Sequence, residues 1–338
     1  MDSLASMILL REAGHEILPI HARFFPKRES SRELSNDLER ICNQLGLKLL
    51  LLDLGQTFGS YVIHPFIRDY LQGLTPNPCA GCNKNIKFGA LLEKAREWGA
   101  DYLATGHYAA VKPDSSGTGL WRGKDPHKEQ SYFLSLVPET SLRRAVFPLQ
   151  DKHKSWTADF LSQKNIPTPA REESNEICFI PGDYRDFIAQ QVGDKNLPGS
   201  GPIKDTRGQI LGYHLGLWRY TPGQRRGLGI AHNHPLYVLG KDHSANTLIV
   251  GSKDELGSWE CSAREVNFLV PFKYWPPELW VQTRYRQNPQ PANVEIQGTR
   301  MRIHFRDHPQ IPAPGQVAAI YSSQGRVLAG GIIEQKPS

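Results

Sequence analysis

Two hydrophobic periods alternate through the first half of the chain. Residues 3–13 (SLASMILLREA) space their apolar positions as a helix does, with Asp2 or Ser3 placed to cap it. Gly14 predicts the stop, and HEILPIHARF after it reads as a strand. Residues 31–45 form an amphipathic helix with Leu34, Leu38, Ile41 and Leu45 on one face, ended by Gly46. The apolar run 47–54 (LKLLLLDL) has strand length. A helix near 61–72, a helix at 86–98 and a strand at 101–111 continue the alternation, which predicts an α/β fold on a parallel sheet. The segment TPNPCAGCNKNIKF (75–88) interrupts it with two prolines and a glycine.

Around 190–200 the pattern changes. Residues 198–338 are rich in glycine and proline and hold short strand candidates: HPLYVLGKD, NTLIVGS, LWVQTRYR, RMRIHFR, QVAAIYS and RVLAGGII. Short strands between turn signals predict β domains built as small barrels, with boundaries near 190 and 258. A chain of 338 residues holds two or three domains at about 100–200 residues each.

Charge sharpens this division. The net charge is 40 − 34 = +6. Residues 1–188 hold 23 basic and 23 acidic side chains, and residues 189–338 hold 17 and 11, so the excess sits in the C-terminal part. A positive surface confined to one half suits a polyanion such as nucleic acid, although six charges also serve as a solubility margin. No run approaches the roughly 18 apolar residues of a membrane span. Five cysteines in this length exclude a disulfide framework, and the N-terminus has no basic stretch ahead of its apolar one, so a cytoplasmic protein without membrane attachment is expected.

Candidate chemistry begins at Cys79-Ala80-Gly81-Cys82. Thiols opening a helix feel its positive end, and Lys84 and Lys87 further favour the thiolate. Redox or sulfur chemistry, a metal site and a structural accident all remain open for a lone C-x-x-C. Cys178, between Ile177 and Phe179, is either a second reactive thiol or a buried structural one; Cys42 and Cys261 read as structural. Thr105-Gly106-His107-Tyr108 ends a predicted strand, where open α/β sheets bind ligands. The polar run 125–132 (DPHKEQSY) is a solvated loop or a contact surface. Arg219–Gly227 (RYTPGQRRG) and Arg284-Tyr285-Arg286 interleave arginine with tyrosine, a pairing suited to phosphates and unpaired bases as well as to charged strand edges.

Together these motifs resemble the tRNA-specific 2-thiouridylases, the MnmA/TrmU family, from residue 2 to about 335. The resemblance is carried by the segment TPNPCAGCNKNIKFGALLEKAREWGADYLATGHYA, by KEQSYFLSL, FPLQDKHK, ESNEICFIPGDYRDFI and TPGQRRGLGI, and by RYRQNPQPANVE, PGQVAAIYS and GGIIE near the end. It implies a PP-loop ATP-binding and catalytic domain over 1–190 with a parallel sheet, a small central β-rich domain over 191–257, and a tRNA-binding β-barrel over 258–338. It also implies ATP-dependent 2-thiolation of the wobble uridine in the anticodon stem-loop. There Cys178 carries the persulfide and Cys82 is the nucleophile that releases sulfur, forming a transient disulfide. Asp2, Ser3 and Gly106 fall at the ATP site, with Mg2+ as the accompanying ion. Asn77, Pro78 and Cys79 fall where the target base is met, and His107, Lys128, Glu129, Gln130, Arg284, Tyr285 and Gln316 at tRNA contacts. The implied sulfur source is a cysteine desulfurase or a sulfur-relay protein.

This chain departs from the family pattern twice. The PP-loop Ser-Gly-Gly-x-Asp-Ser survives only as Met1-Asp2-Ser3, so the glycine nest for pyrophosphate and the strand before it are not represented. Weak ATP binding, uncovered core surface and a natural start further upstream are the expectations. Cys79 stands where many relatives have aspartate, and Cys79, Cys82 and Cys178 then become three candidate ligands for a 4Fe–4S cluster in a variant mechanism. A non-catalytic tRNA-binding homologue, disabled by loss of the PP-loop, is the alternative outcome. A PP-loop ligase acting on a small molecule is the third, and the basic β half argues against it.

Overall fold

The computed structural model describes residues 1–26, 28–114, 117–167, 177–180 and 182–335. The first helix is Asp2–Glu12, with Met1 and not Asp2 or Ser3 at the N-cap and no side chain closing that end. The predicted long strands are trimmed to short ones. Ile20–Arg23 pairs in parallel with Leu50–Asp53, in the register Ile20 to Leu50 and Arg23 to Asp53. Helix Glu29–Gln44 packs Ile41 and Leu38 against the first helix. Contiguous helical turns follow over 55–71, then over 78–97.

A second parallel pair, Leu103–Ala104 with Ala145–Val146, lies apart from the first. Between the two pairs is a cavity of about 1220 Å³, lined by Ile20 and His21 on one side and Ala104 and Val146 on the other, with Asp2 and Ser3 at its wall. Interior strands of a parallel sheet are normally covered by neighbours on both edges. Here Leu18, Trp98 and Tyr102 line the gap and are exposed. The sheet is thus split at its middle, and apolar surface that a central strand would cover is left bare.

The predicted strand 101–111 is two strands in two different sheets. Leu103–Ala104 belongs to the parallel pair, whereas Ala109–Asp114 forms a hairpin with Gly117–Arg122 that joins the C-terminal barrel. Arg326 pairs with Trp121 and Val327 with Leu120, and the buried Leu120 sits in one core with Val317, Tyr321 and Val327. The barrel sheet therefore crosses the boundary expected near 190.

Six antiparallel strands close the barrel: Glu260–Phe268, Leu279–Gln282, Gln290–Gln297, Arg300–Phe305, Val317–Ser322 and Arg326–Ile333. Closure comes from Ala263 pairing with Ile333. A smaller four-stranded sheet, Gly201–Lys204, Ile210–His214, Tyr237–Asp242 and Thr247–Gly251, packs Ile203, Val238, Leu248 and Val250 into its own core. Among the described residues, no helix is long and apolar enough to cross a membrane.

Candidate active site

The C-x-x-C segment owes its shape to the residues before it. Asn77 caps the short helix Pro78–Cys82, its Oδ1 accepting from the Ala80 N–H at 3.1 Å, and Pro78 takes the first helical position, where a missing N–H costs nothing. The loop leading into that helix is held by the other two units. Gln316 Nε2 donates to the carbonyls of Thr75 (2.9 Å) and Pro76 (3.1 Å), and the Thr75 N–H donates to Pro314 (2.7 Å). From the four-stranded sheet, Lys241 Nζ donates to the Gly73 carbonyl at 2.7 Å, and burial brings its pKa down to about 7. Gly73 has φ +72°, and a Cβ there would lie 2.0 Å from His243 Cε1, so only glycine fits. Barrel and central sheet together fix the backbone that presents the cysteines.

Cys82 is buried, Cys79 half-buried and Cys178 exposed. Phe179 and Ile180 anchor the segment of Cys178 in the same core as Cys82, with Phe179 edge-on to Phe58 at 5.6 Å and to Phe66 at 5.3 Å. The three thiols feel one another electrostatically. Residues 168–176 and Pro181 of the ESNEICFIPG motif lie outside the described residues.

The expected resting thiolate is not what this environment favours. Burial pushes Cys79 up to about 11 and Cys82 up to about 12, and Cys178 is also raised by the packing around its sulfur. Desolvation of the buried sulfurs outweighs whatever the helix end supplies. Lys87 opposes the shift at all three sulfurs, whereas Lys84 contributes to none. Lys87 is held in turn by His107, whose Nε2 lies 3.2 Å from Nζ. Burial and the Lys87 charge keep that imidazole well below its ordinary range, so it is neutral, accepts from Lys87 at Nε2 and donates from Nδ1 to Thr105 Oγ1 at 2.7 Å. Replacing Lys87 by Met removes a charge that favours the thiolates. The cysteine alkylation-versus-pH curve is then expected to move to higher pH by about one unit, a size typical of a nearby charge. An unshifted curve would show that Lys87 does not act on the sulfurs.

Asp2, Ser3 and Gly106 converge. A Cβ on Gly106 would lie 2.6 Å from Asp2 Cβ, 2.7 Å from the Asp2 carbonyl carbon and 2.9 Å from the Ser3 nitrogen. Gly106→Ala must therefore push the first helix away, at about 1–3 kcal/mol as overpacking goes, read as a lower melting temperature. An unchanged melt would show that the close approach is not maintained in solution. The Asp2 carboxylate receives Lys154 Nζ at 2.6 and 2.8 Å and the Tyr108 hydroxyl at 3.2 Å. Lys154, from the FPLQDKHK motif, went unassigned in the sequence; its signal was only a lysine opening a helix, Lys154–Gln163.

The remaining candidates fall into separate places. Lys128 and Gln130 line the cavity beside Asp2, and Gln130 Oε1 accepts from the Tyr108 N–H at 3.0 Å. Glu129 is buried, accepts from the Ser131 N–H at 2.6 Å and pairs with Arg122 at 3.4 Å. His107 is buried between Phe88 and Phe147. Arg284, Tyr285 and Gln316 line a second cavity of about 920 Å³ where the three units meet, together with Arg219 and Arg226.

A 4Fe–4S cluster does not fit. Among the described residues, no group of three or more His, Cys, Asp or Glu side chains is placed to hold a metal ion, although Cys79, Cys82 and Cys178 are all described. The expectation of three cluster ligands is corrected accordingly.

Comparison with known proteins covers nearly the whole chain. Family models described as a tRNA methyl transferase HUP domain, a tRNA methyl transferase PRC-barrel domain and an aminomethyltransferase beta-barrel domain match residues 1–182, 185–252 and 258–333. A tRNA-specific 2-thiouridylase MnmA of Nitratidesulfovibrio vulgaris (strain DP4) is 48% identical over 98% of this chain and 95% of its own length. Proteins of the same name from Oleidesulfovibrio alaskensis (47%, 98% and 96%) and Geobacter metallireducens (38%, 99% and 94%) are similar. With an N-terminal α/β part, a small central sheet and a closed six-stranded barrel, and with these relatives, the chain belongs to the tRNA-specific 2-thiouridylase (MnmA) family.

Proposed function

We propose that this protein is an ATP-dependent sulfurtransferase that converts the wobble uridine of tRNA to 2-thiouridine. The observation that carries this reading is an exposed Cys178 on the segment whose Phe179 and Ile180 enter the core that holds the buried Cys82, with the Lys87 charge acting on both sulfurs. An exposed thiol can be loaded by a sulfur donor, while a buried one is shielded from that donor and reached only from within. The descriptions of the domain models speak of methyl transfer, but thiols close enough to act on one another and the names of the relatives favour sulfur.

The uridine C2 oxygen is a poor leaving group, so ATP first adenylates it and pyrophosphate departs. The terminal sulfur of a persulfide on Cys178 attacks C2, and the C2–O bond breaks to release AMP. The Cys82 thiolate then attacks Cys178 Sγ. The bond from Cys178 to the transferred sulfur breaks, thiouridine is freed, and a Cys82–Cys178 disulfide remains for an external thiol to reduce. Lys87 lowers the cost of each thiolate along the way, and His107 holds Lys87. Asn77, Pro78 and Cys79 would meet the base at the mouth of the capped helix, and an anticodon loop presents that base already largely unpaired.

Asp2, Ser3 and Gly106 stand at the ATP side, with Lys128 and Lys154 supplying positive charge. Asp2 is already bound by Lys154 and Tyr108, so Mg2+ would enter as the counter-ion of the nucleotide's phosphates and not as a resident metal. The sulfur donor would be a cysteine desulfurase or a relay protein docking at Cys178, and the reaction sets the protein in the cytoplasm with its tRNA. Transfer of labelled sulfur from a desulfurase to tRNA, with and without ATP, tests this directly. Label entering tRNA without ATP, or not at all, would contradict it.

A further inference from the structure

The segment 73–77, which opens the cysteine helix, is held by three sets of contacts from outside it. The barrel uses groups without charge: the Gln316 amide donates to the Thr75 and Pro76 carbonyls, and the Pro314 carbonyl accepts from the Thr75 N–H. Gly315, at φ +92°, comes so close that a Cβ there would lie 3.1 Å from Leu74 Cβ. Thr221 meets Thr75 hydroxyl to hydroxyl at 3.3 Å. The third hold is Lys241 Nζ on the buried Gly73 carbonyl at 2.7 Å, and of the three it is the one that titrates.

Lys241 lies on the strand Tyr237–Asp242, and its surroundings give it no counter-charge. Leu248 stands opposite on Thr247–Gly251, a strand without an ionisable side chain. Asp242 is engaged in its own turn, accepting from the Ser244 hydroxyl at 2.6 Å and the Ala245 N–H at 3.0 Å. On the helix His64–Leu71 that leads to Gly73, Arg68 and Asp69 pair with each other at 2.8 Å. His243 lies against Gly73, and partial burial with the Lys241 charge holds its imidazole below the ordinary range. It is therefore neutral where Lys241 is charged. Desolvation alone brings the ammonium to about 7, since no carboxylate among the described residues pairs with it. An amide holds a carbonyl without that desolvation cost, as Gln316 does.

We propose that Lys241 is a positioning residue for sulfur transfer, through which the protonation state of the central sheet sets the alignment of Cys79 and Cys82. The proposal rests on the sulfurtransferase reading above and adds to it a proton-dependent hold on the loop that presents the thiols. An ammonium donates to a carbonyl more strongly than a neutral amine does. The hold is thus tightest below about pH 7 and slackens as pH rises through that value. Thiolate formation runs the opposite way, so thiol reactivity and loop alignment are balanced against each other.

The test is thiouridine formation by the full chain with ATP, Mg2+, a sulfide source and unmodified tRNA, measured from pH 6 to 8.5 for the parent, Lys241→Met and Lys241→Arg. Rate ratios between variants cancel the thiol titration that all three share. At pH 6 Lys241→Met is expected to lose about ten- to a hundredfold in kcat, the size of a slight misplacement of reacting groups, with KM for tRNA within about twofold. Its deficit should shrink about three- to tenfold as pH rises through about 7. Lys241→Arg stays charged, so its rate relative to the parent should climb over the same range. Should the arginine variant not fold, the ratio for Lys241→Met decides alone. A deficit equal at every pH would show ordinary packing and overturn the proposal, as would an unchanged kcat or a loss confined to KM. These outcomes leave the sulfurtransferase reading intact. A parent that makes no thiouridine at any pH contradicts both together.

Discussion

Cys178→Ser and Cys82→Ser are each expected to abolish thiolation, by about a thousandfold or more as for other nucleophile removals, but to stop the cycle at different points. Without Cys178 no persulfide forms, so labelled sulfur from a desulfurase does not become protein-bound. Without Cys82 the persulfide on exposed Cys178 still forms, and labelled sulfur accumulates on the protein without release of thiouridine. The asymmetry follows from placement, since one thiol faces solvent and the other lies in the core with Phe58, Phe66 and Phe179. Serine at the buried position adds a folding cost of about 1–3 kcal/mol for a hydroxyl without a partner, so melting curves must accompany the assay. If both variants load sulfur equally, or if Cys178→Ser still makes thiouridine, the assigned roles are wrong.

The second large effect concerns the split sheet. Placing five apolar residues followed by Ser-Gly-Gly ahead of Met1 is expected to fill the gap between Ile20–Arg23 and Leu103–Ala104. Each large apolar side chain buried there contributes about 1.5–3 kcal/mol, against about 1–2 kcal/mol per residue for ordering the backbone. Hydrogen bonds to two strand edges add about 1 kcal/mol each. The net gain is a few kcal/mol, or roughly 10 °C in Tm for a unit of this size. The same addition supplies the backbone N–H groups that cradle phosphates, so ATP should bind at least about tenfold more tightly. A polar five-residue extension with the same Ser-Gly-Gly is the control. Equal melting temperatures for the two extensions would show that the gap does not accept a strand.

Much of this was legible because it rests on local pattern. Alternating periods disclosed the α/β half, and HPLYVLGKD, NTLIVGS, QVAAIYS and RVLAGGII each became a strand: Tyr237–Asp242, Thr247–Gly251, Val317–Ser322 and Arg326–Ile333. Glu260–Phe268 escaped because its register breaks between Arg264 and Asn267, with Glu265 at φ +53°, so its apolar positions do not alternate cleanly. Gln290–Gln297 escaped because its sequence, QPANVEIQ, holds a proline and three glutamine or asparagine residues, and its partners supply the apolar faces. The transfer of Ala109–Asp114 to the barrel depends on a contact with Arg326–Ile333 some 200 residues away, which no local pattern encodes.

The site shows the same division. The resemblance singled out Cys82 and Cys178, and the fold seats Phe179 and Ile180, next to exposed Cys178, in the core that holds Cys82. It could not show that the side chains of Gln316 and Glu129 are engaged inside the protein, because those bonds join distant segments: Gln316 reaches Thr75 and Pro76, and Glu129 is buried beside Arg122. Nor could charge counting find that burial outweighs Lys87 at the thiols, since desolvation is a property of packing.

The most direct measurement is the nucleoside content of unmodified tRNA after incubation with this chain, ATP, Mg2+ and a sulfide or desulfurase source, digested and read by mass spectrometry. The account predicts 2-thiouridine that depends on ATP and on both Cys82 and Cys178, at a rate that rises when the strand and glycines are supplied. Thiouridine formed without ATP, or a chain that binds tRNA yet makes none even with the extension in place, would contradict it.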